Sequence, residues 1–140
     1  YCTQDGVVPR TRVPDIVRAI AATAARHRLR IGNVFHAGDG NIHPIILFDE
    51  RDADEVRRVL DAGREILEAC VALGGSVTGE HGIGVEKMAQ MPLLFSPEDL
   101  AAMVAIRESL NPTGRCSPPK LLPTGGHCME KTRPGRHASA

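Results

Sequence analysis

Aromatic residues are scarce in this chain: one Tyr, three Phe and no Trp among 140 residues. Neither sign of charge is in excess, with 17 basic residues against 17 acidic ones. Binding along a phosphate backbone needs a basic surplus, so the balance argues against nucleic acid as a partner. No apolar run approaches the roughly 18–20 residues needed to cross a bilayer. The opening YCTQDGVVPR also lacks the apolar core of a secretory signal. The four cysteines, at positions 2, 70, 116 and 128, include no pair at C-x-x-C spacing. Cys70 sits within an apolar helical pattern and reads as a buried, inert thiol, while His127-Cys128 alone is weak evidence for a metal site. Without a secretory signal, reduced thiols and a cytoplasmic setting are expected. The length suits a single domain. Yet the first residue is Tyr1 rather than Met and strand-forming sequence is thin, as expected of a piece of a longer protein.

What is present is organised in blocks. A basic start and a basic end flank an acidic middle over residues 49–68. From residue 123 onward, PTGGHCMEKTRPGRHASA has no apolar periodicity and reads as a disordered polar tail, which leaves an ordered domain over 1–122. Three helices are predicted. The first has Pro14 in its opening turn and Ile16, Val17, Ile20, Ala24 and His27 along one face. The second repeats Val56, Val59, Leu60, Gly63, Ile66, Leu67, Cys70 and Val71, with Asp52 or Asp54 as cap and Gly74-Gly75 as stop. The third starts on Ser96-Pro97 with Asp99 in its first turn. It carries Leu100, Met103, Val104, Arg107 and Leu110 on one side and ends at Asn111-Pro112. Two short apolar runs, 31–36 and 42–48, are strands. The order implies an α+β layer with helices on one face of an antiparallel sheet. Two strands make a poor sheet, so residues 3–9, residues 75–79 or preceding sequence must supply more.

The chemistry concentrates in HAGDGNIH at 36–43. Asp-Gly between two strands signals a two-residue hairpin turn. With Asp39 and Gly40 at its centre, His36 stands opposite His43, Cβ atoms about 4.5–5.5 Å apart on one face. Two imidazoles so placed can share a metal ion at roughly 2.0–2.1 Å each. Asp39, at the turn tip, is expected to cap backbone amides rather than to bind metal. A carboxylate completes an open catalytic site, and Glu80 in SVTGEHGIG at 76–84 is the candidate. In an extended segment Glu80 and His81 point opposite ways, one toward the metal and one toward substrate. The glycines here match neither a phosphate loop nor a dinucleotide fingerprint. These residues alone leave open a stand-alone metallohydrolase built on His36, His43 and Glu80, or a non-catalytic binding module.

Together, HAGDGNIH at 36–43 and GGSVTGEHGIGVEK at 74–87 resemble the C-terminal part of FAD-linked oxidases. That family includes the D subunit of glycolate oxidase, D-lactate dehydrogenases and D-2-hydroxyglutarate dehydrogenases. DGVVPR at 5–10 and HPIILFD at 43–49 extend the likeness. The resemblance implies a fragment of a vanillyl-alcohol-oxidase-type flavoprotein: part of a ferredoxin-like cap domain, with FAD held mainly by an N-terminal domain. It implies a divalent zinc or manganese ion on His36, His43 and Glu80, and His81 as the acid/base beside the flavin. The implied reaction oxidises a 2-hydroxy acid, the hydride going to flavin N5 and the hydroxyl proton to a base. Imidazole, with an ordinary pKa of about 6.5, suits that role. Members specific for hydroxyglutarate carry a polar residue where this chain has Ile45, which implies a smaller substrate such as glycolate or D-lactate. Flavin and iron–sulfur subunits of a glycolate oxidase complex are the partners the resemblance implies.

Overall fold

A computed structural model describes residues 1–117 and 120–123. The expected polar tail and His127-Cys128 therefore lie outside the described residues, apart from Pro123. In chain order the elements are β1 (Cys2–Thr3), β2 (Gly6–Val7), α1 (Val13–His27), β3 (Arg30–His36), β4 (Asn41–Leu47), α2 (Ala53–Ala72) and α3 (Pro97–Leu110). Short 3-10 turns at Arg10–Arg12 and Met88–Leu93 precede α1 and α3.

The helix boundaries follow from local chemistry. Asp52 caps α2, its side chain accepting from the Asp54 and Glu55 amides. At the other end Gly74, at φ +82°, lets its own amide reach the Val71 carbonyl and the Gly75 amide reach that of Cys70, a Schellman stop. Ser96 and Asp99 form a reciprocal capping box at the start of α3, with Pro97 at its first position. Arg58, reaching across from α2, donates to the His27 and Arg28 carbonyls and so satisfies the end of α1.

The sheet is antiparallel throughout, with β4 in the middle. β3 runs along one edge of β4, while β1 and β2 lie end to end along the other in one register. The two short strands are one strand interrupted opposite Pro44. The Gln4 amide donates to the Pro44 carbonyl at 2.9 Å, but Pro44 has no N–H to return. Additional pairing thus comes from residues 2–7 and from a single bridge between Val7 and Ser76.

Strand alternation gives the sheet two unlike faces. Ile42, Pro44 and Ile46 point to the helical side and are fully buried. There they join Val8, Ile16, Ile20, Val59, Ala62, Ile66 and Cys70 in the main core. Cys70 is the inert thiol expected, with burial pushing its pKa up to about 12. A second cluster of Leu67, Val77, Ile83, Met91 and Leu122 receives Leu100, Met103 and Val104 of α3. Two residues assigned to packed faces are instead exposed: Leu60 flanks the α2 stripe, and Leu110 sits in the last turn of α3, beyond that cluster. The opposite face of β4 presents Asn41 and His43, both buried although polar.

Candidate functional site

Residues 76–81 pass over that polar face of the sheet and bring Glu80 onto the histidines. Glu80 Oε1 lies 3.1 Å from His43 Nε2, 3.7 Å from His36 Nε2 and 3.6 Å from His81 Nε2. The His36 and His43 rings meet edge to face with centroids 5.3 Å apart, and His81 stacks on His43 at 5.0 Å. All four residues anticipated from sequence therefore meet at one place. His43 is buried, whereas His36, Glu80 and His81 are about half exposed, so the cluster opens to solvent on one side.

Two local expectations are corrected. His36 pairs with Asn41 and His43 pairs with Val34, so the histidines are diagonal rather than directly opposed. The turn is the four residues Ala37–Gly40, because the Asp39 and Gly40 amides both donate to the His36 carbonyl. Only Gly40 takes a positive φ, +86°, and Asp39 caps the Asn41 amide at 2.9 Å in an Asx turn. A slip of two residues keeps both side chains on one face, which is why the pairing error leaves the cluster intact. The second correction concerns residues 79–81. They are not extended: three successive amides converge on one carboxylate, so Glu80 and His81 both reach His43.

That carboxylate is Asp5, fully buried, and composition and spacing did not single it out. It accepts from the Thr78 hydroxyl at 2.6 Å and from the Gly79, Glu80 and His81 amides at 3.0, 3.2 and 3.1 Å. Lys87, also buried, donates to its carboxylate at 3.1 Å and to its carbonyl at 2.7 Å. Burial alone would raise the Asp5 pKa. The hydrogen bonds from Thr78, His81 and Lys87, with the Lys87 charge, outweigh it and hold the carboxyl well below the usual range. The signal available was an Asp beside Gly at a strand break, with a Lys seven residues beyond Glu80.

His43 is oriented by the same strand. The Gln4 carbonyl, which receives no ladder N–H from Pro44, stands 3.4 Å from His43 Nδ1. A proton on Nδ1 directed there leaves the Nε2 lone pair facing Glu80 and His36.

The donor set fits a divalent cation. One atom each from His36, His43 and Glu80 lie within 4.8 Å of one another. Ligands at roughly 2.0–2.1 Å in tetrahedral array sit about 3.3 Å apart, comparable to the two Glu80 distances. Asp5, His43 and His81 form a second such group. Its Asp5 oxygens are already engaged by the donors named above, which leaves it the weaker chelator.

Comparison with known proteins places this chain in a family. Residues 1–121 match the family of FAD linked oxidases, C-terminal domain, and the chain belongs to that family. Among individual relatives, it is 44% identical over 130 residues to "Glycolate oxidase subunit GlcD" of Escherichia coli (strain K12), covering 93% of this chain and 26% of that protein. The Bacillus subtilis (strain 168) protein of the same name is 38% identical over 119 residues, covering 85% of this chain and 25% of that one. "Probable D-lactate dehydrogenase, mitochondrial" of Danio rerio is 34% identical over 118 residues, or 84% and 24%. The chain thus spans about a quarter of the length of these relatives. Among the described residues, no helix is long and apolar enough to cross a membrane.

Proposed function

We propose that this chain is the metal- and substrate-side domain of an FAD-dependent 2-hydroxy-acid dehydrogenase, acting on glycolate or D-lactate. The observation that carries the reading is the meeting of His36, His43, Glu80 and His81 on one sheet face in a chain of this family. His36, His43 and Glu80 are the ligands for zinc or manganese. Held there, such an ion would supply Lewis-acid polarisation of a substrate hydroxyl. FAD, held mainly by the flavin-binding part of the protein, supplies the hydride acceptor.

The residues of this chain then do three things. His36, His43 and Glu80 leave one side of the cluster open, where the α-hydroxyl and carboxylate oxygens of the acid can approach. His81, stacked 5.0 Å from His43, receives the hydroxyl proton on its ring nitrogen. Ile45, on the same face of β4 as His43, gives an apolar neighbour that suits a small acid better than a dicarboxylate. Assembly with further flavin and iron–sulfur subunits, and a cytoplasmic setting, belong to the same proposal. Family membership favours it over a stand-alone hydrolase using the same ligands.

Reading the gene upstream of Tyr1 tests the assignment at once: an in-frame FAD-binding domain supports it, and its absence sinks it. In the flavin-bearing protein, His81→Gln is expected to lower kcat for glycolate or D-lactate roughly 10²–10⁴-fold with metal content unchanged. Wild-type turnover in that variant would remove His81 as the base.

A further inference from the structure

We infer that the Gln4–Asp5 step is the positioning element of this site, one dipeptide that sets the attitude of His43, Glu80 and His81 together. The inference deepens the proposed function and rests on it for what the three side chains do. Gln4 acts through its carbonyl and Asp5 through its carboxylate, from adjacent residues of the same strand edge. The interruption opposite Pro44 makes both roles available. With no N–H on Pro44, the Gln4 carbonyl takes the His43 ring instead of a ladder bond.

Asp5 turns inward on the same face as His43 and gathers the amides of three consecutive residues. Backbone N–H groups converging on one anion fix the path of the segment they belong to. The backbone of Glu80 and His81 cannot move away without breaking bonds to a fully buried carboxylate, which fixes where their side chains start. Thr78 reinforces the arrangement from both directions: its hydroxyl donates to Asp5 at 2.6 Å and accepts from the Gly82 amide at 2.9 Å. Gly79 completes it. A Cβ there would lie 2.6 Å from the Asn41 side-chain amide, so any larger residue would force that buried side chain to move. Lys87 supplies the countercharge that lets the carboxylate stay ionised while buried. None of these groups need touch a ligand. They are positioning residues, acting through His43, Glu80 and His81.

The test uses the full chain and two readouts, one of which needs no metal. Asp5→Asn alone strands the buried Lys87 charge, so the informative variant is the double Asp5→Asn/Lys87→Met, alongside Thr78→Val and Thr78→Ser. Amide hydrogen exchange is measured with chelator present, and cobalt(II) affinity by absorption titration. In the double variant, exchange at Gly79, Glu80 and His81 is expected to rise at least about 10-fold while Ile66 and Cys70 in α2 stay protected. Cobalt binding should weaken about 10–100-fold. Thr78→Val should change both readouts in the same sense, and Thr78→Ser, which keeps the hydroxyl, should restore them. Unchanged exchange at residues 79–81 in a folded double variant overturns the positioning role. Equal behaviour of Thr78→Val and Thr78→Ser counts against it as well. Failure of the wild-type chain to bind cobalt contradicts the metal reading instead, and the exchange result still decides the positioning role.

Discussion

The two glycines of the β3–β4 turn offer a matched perturbation with opposite expectations. Gly40 has φ +86°, and a Cβ there would fall 2.1 Å from the backbone oxygen of Val8. Gly38, two residues away in the same turn, has no positive φ, and a Cβ there would meet nothing within 4 Å. In Gly40→Ala the left-handed backbone costs about 1–2 kcal/mol. Relief of the clash with Val8, whose amide is bonded to the Gly40 carbonyl at 3.1 Å, adds about 1–3 kcal/mol. The total, roughly 2–5 kcal/mol, is a large share of the 5–15 kcal/mol typical of a domain. Gly38→Ala should stay within about 0.5 kcal/mol of wild type. Urea unfolding followed by far-UV circular dichroism reads this directly. At a slope near 2 kcal/mol/M, Gly40→Ala should lower the midpoint by about 1–2.5 M and Gly38→Ala should barely move it. Because Gly40 ties the turn to Val8, the same variant should also disturb His36 relative to His43 and weaken metal binding. Equal midpoints for the two variants would refute this account of the turn.

Two further outcomes follow from buried groups. Burial pushes the Cys70 thiol up to about 12, whereas Cys116 is exposed. Iodoacetamide at pH 8 with peptide mapping should therefore label Cys116 in the native chain and Cys70 only after unfolding; comparable native labelling of both would contradict the packing described. Asp5 has a folded-state pKa below its unfolded value of about 3.9, so its contribution to stability is complete above about pH 5. It declines as the pH falls below the unfolded value and is lost only on passing the lower folded one. Urea midpoints of the metal-free chain between pH 6 and pH 2 should fall less steeply in Asp5→Asn/Lys87→Met than in wild type, and parallel profiles would contradict the assignment.

The legible part of this molecule was what repeats or what local chemistry dictates. Ser96-Pro97-x-Asp99 and Asp52 announce helix starts, and Gly74-Gly75 a stop, because each satisfies backbone groups within a few residues. His36 and His43 were legible as a pair since even-numbered residues of β3 share a face with odd-numbered residues of β4, and a register slip of two leaves that unchanged. The turn length was not legible: Asp39-Gly40 fits a two-residue turn locally, and the contact between Gly40 and Val8 that selects a longer one is tertiary. Asp5 was missed for the same reason. Its partners lie more than seventy residues away, and the adjacent Gly6 and the distant Lys87 are too weak a signal to mark the residue as an anchor. The bend at residues 79–81 depends on Asp5, so the opposite directions expected for Glu80 and His81 failed with it.

Metal content decides the central claim most directly. The full chain, dialysed against zinc or manganese and freed of excess, should retain one ion, measured by plasma emission spectrometry. His36→Ala, His43→Ala and Glu80→Gln should each lose it, while the helix-end control Leu110→Ala, far from the cluster in sequence and exposed, should keep it. Undiminished metal in the His36 and His43 variants would contradict the chelating cluster and the function built on it.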